Sequence, residues 1–209
     1  RYFPAPGDRD RSSSIYYQER SFFAGDPTMA DYVYTVFLDA GHGGSDPGAV
    51  YNGRQEKDDT LALTLAVGRI LESYGFRVIY SRTEDIYESP YQKAAEGNAS
   101  GADIFISIHR NSSSYSNQYS GVESLVYNEW LPAGTIATNI NRELERIGYK
   151  NLGVNARPNL VVLRQSRMPA VLVEVGFINN DRDNALLDAQ FDATARAIAD
   201  RIAGTLWSW

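Results

Sequence analysis

The sequence predicts an α/β sandwich, in which a sheet lies between layers of helices. Strand-like apolar runs alternate with helix-like segments along most of the chain, and this alternation is typical of the class. The runs DIFISI and AVLVEV are apolar on both faces, as expected for strands that helices cover on both sides. Hydrophobic residues make up 43% of the chain and charged residues 22%, which is sufficient for one complete core.

The local patterns predict the elements one by one. Short apolar runs predict strands at residues 34–39, 76–80, 103–109, 121–127, 160–163 and 170–175. Apolar residues at helical spacing predict a helix over residues 57–74, which Gly75 ends. Residues 90–100 are predicted to form a second helix. Two further helices are marked by Ile136, Ile140, Leu144 and Ile147, and by Phe191, Ala195, Ile198, Ile202 and Leu206.

Residues 1–31 differ in composition from the rest of the chain. They are rich in Arg, Asp, Ser and Tyr, contain Pro4, Pro6 and Pro27, and show no clear period. An arm or linker and a flap beside a substrate are both compatible with this pattern, and the arm or linker is favoured. Residues 32–209 are therefore expected to form the single folded domain.

The composition excludes several classes of function. A formal net charge of −6 argues against a nucleic-acid partner, which usually requires a basic patch. The lack of cysteine excludes disulfides, thiolate metal sites and cysteine nucleophiles. No run approaches the roughly 20 apolar residues that span a membrane. The chain begins at Arg1 without a signal segment, so we expect that any targeting segment has been removed.

The chain contains two histidines, and both follow predicted strands. His42 lies in a glycine-rich loop after the first strand, and His109 ends the third. Glu174 lies near the end of the strand AVLVEV, and Glu56 begins the helix after the loop that carries His42. Because sites of open α/β sheets form outside the carboxyl ends of the strands, these side chains are expected at one edge.

Two imidazoles and one carboxylate can hold a catalytic zinc ion and leave a position open. A second carboxylate can then move the proton of a hydrolytic water. From the residues alone, Glu56 and Glu174 fill these two roles without a decision between them. Alternatives are a salt-bridged, buried Glu174 and a phosphate cradle in the glycine-rich loop, although that loop lacks the Lys and Ser/Thr of a nucleotide site. Asp46, before Pro-Gly, is expected to form a turn.

Five stretches, in order, resemble the amidase-3 family of N-acetylmuramoyl-L-alanine amidases: LDAGHGGSDPGAV, QEKDDTLALTLA, SRTED, ADIFISIHRN and PAVLVEVGFINN. The resemblance implies a mostly parallel six-stranded sheet. It also implies zinc ligands at His42, Glu56 and His109, with Glu174 as the catalytic acid/base. The implied reaction is cleavage of the amide between the lactyl group of N-acetylmuramic acid and L-alanine of peptidoglycan, outside the cytoplasm. A vegetative, sporulation or phage-lysin role is left open.

The sequence departs from the family pattern at Ala40, commonly Pro, at Lys93, near which Arg is often found, and at Arg110, where a small residue is usual. Arg110 is expected to add a long cation beside the substrate groove. Asn111 and Arg164 are expected to line that groove. The stretch 112–120 is short and polar, where some relatives carry a long helix that plugs the site.

Two rival functions use the same observations. One is a zinc peptidase or deacetylase that acts on another cell-wall amide. The other is a non-catalytic wall-binding module, although binding alone does not require an acid/base next to a metal. Peptidoglycan is the expected partner, and an activator or localisation protein is left open.

Overall fold

The computed structural model describes residues 32–130 and 132–209. The predicted arm or linker at residues 1–31 lies outside the described residues and stays a prediction. Among the helices of the described ranges, none combines the length and apolar character of a membrane span.

The predicted α/β class is confirmed. The strands of the main sheet are β1 (Thr35–Ala40), β4 (Arg77–Tyr80), β5 (Ile104–Asn111), β6 (Val122–Val126), β7 (Asn151–Ala156) and β8 (Ala170–Phe177). They lie in the order β4-β1-β5-β8-β6-β7. All neighbouring strands are parallel except β6 and β8, which are antiparallel. The sheet is therefore six-stranded and mostly parallel.

Helices cover both faces of this sheet. The larger core lies under α1 (Glu56–Ser73), α3 (Ala133–Arg146) and α6 (Phe191–Leu206). The other face packs against α2 (Pro90–Ala99) and α4 (Val161–Gln165). Here α2 approaches closely, because a Cβ on Gly97 would lie 2.7 Å from Cδ2 of Phe105. The short helix α5 (Asp181–Ala189) follows β8.

A small hairpin precedes α1. Its strands are β2 (Val50–Tyr51) and β3 (Arg54–Gln55), and they pair antiparallel. Asn52 and Gly53 join them with positive φ angles of 50° and 83°, as a tight hairpin turn requires. The hairpin leads the chain from the glycine-rich loop into α1.

One of the predicted strands is wrong, and one strand of the sheet was not predicted. Residues 160–163 were expected to form a strand, but they lead into α4, where Val162 and Leu163 pack against the sheet. A run of four apolar residues does not by itself distinguish a buried strand from a buried helical turn. The sixth strand is instead β7, NLGVNA, whose polar residues and glycine hide it from a search for apolar runs.

Candidate metal centre

The fold brings His42, Glu56 and His109 together at the carboxyl edge of the sheet. One candidate ligand atom from each lies within 4.8 Å of the others. His42 follows β1, Glu56 is the first residue of α1, and His109 lies in β5. Glu56 Oε2 is 3.1 Å from His42 Nε2, and Glu56 Oε1 is 2.9 Å from His109 Nδ1. The three residues that the sequence predicted as ligands therefore face one another.

Backbone geometry makes room for this group. His42 has a φ of 61°, an uncommon conformation for a residue other than glycine and one that is found at functional sites. A Cβ on Gly41 would lie 2.4 Å from Cε1 of His109. A Cβ on Gly48 would lie 2.6 Å from Oε2 of Glu56. The glycines of the loop are thus required for the approach of the three side chains.

The charges of the group are strongly coupled. Burial alone would lower the pKa of His42, but hydrogen bonds and charges from Glu56 and Asp46 raise it to about 9. Burial alone would raise the pKa of Glu56, but hydrogen bonds from His109 and His42 hold it well below its usual range. A buried carboxylate between two imidazoles is thus an anionic centre that attracts either a proton or a cation. This donor set of two nitrogens and one oxygen fits zinc.

Asp46 has a second role that the sequence analysis missed. It forms the expected turn, since its Oδ1 accepts a hydrogen bond from the Gly48 N–H over 3.0 Å. Its Oδ2 also lies 2.8 Å from Nδ1 of His42. This contact leaves Nε2 as the nitrogen that faces Glu56, and carboxylates of this kind commonly orient metal-binding histidines. The spacing of four residues between His42 and Asp46 was the available signal.

Two buried cations, Lys93 and Arg82, bind the main chain of the loop that carries His42. Lys93 Nζ donates to Ala40 O over 2.5 Å and lies 2.8 Å from Asp39 Oδ1. Arg82 donates to the carbonyls of Ala40 and Gly41 over 3.2 and 3.0 Å. Burial alone would raise the pKa of Asp39, but Lys93 holds it below its ordinary value. Lys93 therefore supports the backbone beside the site rather than contacting a substrate.

Glu174 lies next to His109 on the neighbouring strand. The two residues are register partners in the parallel pair of β5 and β8. Burial raises the pKa of Glu174 to about 7. Its Oε2 is buried and has no hydrogen-bond partner among the described residues. Such an atom is costly unless a ligand uses it, so it points to chemistry at this position.

A further carboxylate, that of Glu123, lies on β6 beside Glu174. Glu123 is the antiparallel register partner of Glu174. The amide Nδ2 of Asn111 donates to Glu123 Oε2 over 3.1 Å, and that of Asn155 donates to Oε1 over 2.8 Å. Asn111, predicted to line the groove, is therefore at the site, where it fixes Glu123. The sequence analysis missed Glu123 because a lone acid at a strand start carries no signal of its own.

Arg164 is not brought to this group. It lies at the end of α4 and lines a pocket of about 310 Å³ together with Tyr127, Trp130 and Met168. The same pocket includes Ala170, the first residue of β8, whereas Glu174 lies further along that strand towards its carboxyl end. The structure gives no support to a contact between Arg164 and a ligand at the metal centre.

The expectation for Arg110 also needs correction. Its side chain is buried rather than in the groove, since it pairs with Asp59 and donates to Asn184 Oδ1 over 2.7 Å. Successive residues of a strand point to opposite faces, so Arg110 lies on the face opposite His109. The polar stretch 112–120 is an irregular loop without a helix, held in part by a hydrogen bond from Ser120 to Asp183.

Comparisons with known proteins agree with this geometry. The family model Amidase_3, described as N-acetylmuramoyl-L-alanine amidase, matches residues 36–204. The chain is 41% identical over 161 residues to the sporulation-specific N-acetylmuramoyl-L-alanine amidase of Bacillus subtilis (strain 168). That match covers 75% of this chain and 61% of the relative, so the chain spans about three fifths of the relative's length.

Solved structures show the same fold. An N-acetylmuramoyl-L-alanine amidase from Clostridium difficile 630 superposes with a TM-score of 0.79 at 31% identity, over 84% of this chain and 98% of that one. The CwlD amidase from Clostridioides difficile, solved in complex with the GerS lipoprotein, superposes with a TM-score of 0.74 at 31% identity, over 84% of this chain and all of that one.

Proposed function

Because this chain belongs to the Amidase_3 family of N-acetylmuramoyl-L-alanine amidases, we propose that it is a zinc-dependent hydrolase of peptidoglycan. The bond cleaved is the amide between the lactyl group of N-acetylmuramic acid and L-alanine. The observation that carries the proposal is the His42–Glu56–His109 group with the partnerless Oε2 of Glu174 beside it.

Three side chains would hold the metal. They are His42 through Nε2, His109 through Nδ1 and Glu56 through its carboxylate, since these atoms face one another. Zinc bound there supplies a Lewis acid that polarises the carbonyl of the scissile amide. Asp46 keeps the His42 ring in the orientation that presents Nε2.

Glu174 moves the proton. It takes a proton from the attacking water as the water oxygen bonds to the lactyl carbonyl carbon. As the carbon–nitrogen bond breaks, it gives that proton to the nitrogen of L-alanine. A pKa raised by burial to about 7 suits both steps, because a group that accepts and then donates a proton works best near the ambient pH.

The same proposal covers partners and location. We place the action on peptidoglycan outside the cytoplasm, in line with relatives named as a sporulation-specific amidase and as a probable cell wall amidase. Because the CwlD amidase was solved in complex with a lipoprotein, we propose a search for a localisation or activator protein that binds this chain. Neither rival function gains a specific observation from the structure.

The proposal is tested by digestion of purified peptidoglycan together with elemental analysis. We expect about one zinc per chain, release of free L-alanine amino termini, and loss of both in His109→Ala. Release of acetate instead would identify a deacetylase, and a different new amino terminus would identify a peptidase. Zinc without any cleavage would leave the wall-binding module.

A further inference from the structure

The strand order indicates the direction in which a substrate would lie across the proposed site. The candidate metal ligands come from β1, α1 and β5, while Glu174 lies on β8. The proposed reaction would place the scissile carbonyl beside the candidate ligands and the leaving nitrogen within reach of Glu174. The bond from carbon to nitrogen therefore points from β5 towards β8. The peptide must then continue towards β6 and β7, and the sugar towards β1 and β4.

The β7 end of this line carries an exposed cation. Arg157 follows β7, and its main chain lies level with Val126 at the amino end of β8, because β6 and β7 run antiparallel to β8. Its side chain is 53% exposed and reaches back along the sheet, so that Nη2 lies 3.7 Å from Oε1 of Glu123. That separation is an ion pair but exceeds a hydrogen bond, so Nη2 keeps donors for a ligand. Both oxygens of Glu123 already accept hydrogen bonds from Asn111 and Asn155. Glu123 thus anchors the guanidinium rather than offering itself to a substrate.

The β4 end has a different character. The loop after β4 carries Ile86 and Tyr87, which are both about half exposed. This loop packs directly on the glycines that follow His42, because a Cβ on Gly44 would lie 2.5 Å from the Tyr87 nitrogen. An exposed ring next to the site suits the apolar face of a sugar, whereas a guanidinium suits a carboxylate.

We propose that the substrate lies across the sheet edge with its sugar at Tyr87 and its peptide at Arg157, and that Arg157 binds a carboxylate of the peptide beyond L-alanine. This inference rests on the proposed function. Neighbouring strands lie about 4.8 Å apart, so a guanidinium held beside Glu123 on β6 lies one to two strand spacings, roughly 5–10 Å, from Glu174. An extended residue spans about 3.4 Å, so the carboxylate belongs to the second or third residue.

The test compares two synthetic N-acetylmuramoyl-tripeptides that begin with L-alanine. One has free carboxylates on its second and third residues, and the other carries primary amides there. For the free-carboxylate peptide, we expect Arg157→Gln to raise KM about tenfold with kcat and zinc content unchanged. Arg157→Lys should recover part of the loss. For the amidated peptide, Arg157→Gln should leave KM unchanged.

A matched control is Arg146→Gln, which removes an exposed arginine from α3 on the opposite face of the sheet. It should leave both peptides unaffected. A rise of KM in Arg157→Gln that is equal for both peptides, or no rise for either, would overturn the inference while cleavage by the parent upholds the proposed function. Failure of the parent to cleave either peptide would instead remove the proposed function itself.

A second arm tests the direction. Tyr87→Ala should raise KM for the muramoyl peptide but not for a D-lactyl peptide without the sugar. If Tyr87→Ala affects both substrates equally, the sugar does not lie at this loop and the proposed direction is wrong.

Discussion

The main-chain N–H of Arg110 donates a hydrogen bond to Glu56 Oε1 over 3.0 Å, while the Arg110 side chain runs to the other face of the sheet. There it meets Asp59, one helical turn after Glu56. Asp59 also accepts from Arg54 Nε over 2.8 Å. The residue next to His109 thus links β5 to the helix that carries another candidate ligand, and this link has consequences for stability.

We predict that Arg110→Met lowers the free energy of unfolding by about 3 kcal/mol, because it leaves the mostly buried Asp59 carboxylate with one cation fewer. Urea denaturation measures this. The double variant Arg110→Met/Asp59→Asn should recover part of the loss, since a neutral amide no longer needs the second cation. A single variant as stable as the parent would show that the pair contributes nothing.

Replacement of Glu174 separates catalysis from folding. Glu174→Gln should lower kcat by about 10²- to 10⁴-fold, because the proton carrier is lost. The zinc content should stay at the parental level, since Glu174 is not one of the three facing ligands. Stability near pH 8 should be equal or higher, because a carboxylate whose buried Oε2 lacks a hydrogen-bond partner among the described residues has been removed. A variant that digests wall at the parental rate would refute the assignment.

The pH dependence of the metal-free protein has a definite sign. The pKa values of His42 and Glu174 are raised, to about 9 and about 7, so protonation of each stabilises the fold. This stabilising contribution is present in full below the pKa that each group has in the unfolded chain, and it is lost as the pH rises. For Glu174 the loss falls between about pH 4.5 and 7, and for His42 between about pH 6.5 and 9. Thermal unfolding of the zinc-free protein should therefore show a falling midpoint over this range.

Zinc should reverse that trend. Its ligands must be unprotonated, so the stabilisation by added zinc should grow as the pH rises. Glu174→Gln should flatten the lower part of the zinc-free profile, and Asp46→Asn should reduce the upper part, because Asp46 helps to raise the His42 pKa. A zinc-free midpoint that rises steadily from pH 5 to 9 would contradict the prediction.

Two glycines provide a matched pair of substitutions. Gly41→Ala would press a Cβ against the His109 ring, 2.4 Å from its Cε1, so we expect zinc affinity to fall at least tenfold. Gly204→Ala, in α6, meets nothing within 4 Å and should raise the unfolding free energy by about 0.5–1 kcal/mol without effect on zinc. Titration with zinc and urea denaturation measure the two effects. Equal zinc affinities in the two variants would refute the steric argument.

Much of the fold was predictable, and each failure has its own physical cause. The strands around His42, His109 and Glu174 are long apolar runs, and such runs predict buried strands well. The run at residues 160–163 is too short for its period to be defined, and it is helical. The strand β7 is polar because it is an edge strand and is partly exposed along its length, and its Asn155 binds Glu123.

The sequence by itself determined the class of fold and predicted which two histidines and two glutamates meet at one edge of the sheet, because neighbouring parallel strands end at the same edge. Only the tertiary structure decided which atoms face one another and which way neighbouring side chains turn. Asp46 reaches the His42 ring, Arg110 leaves the groove, and Arg157 arrives beside Glu123. These outcomes depend on strand order and register, which place residues far apart in sequence side by side.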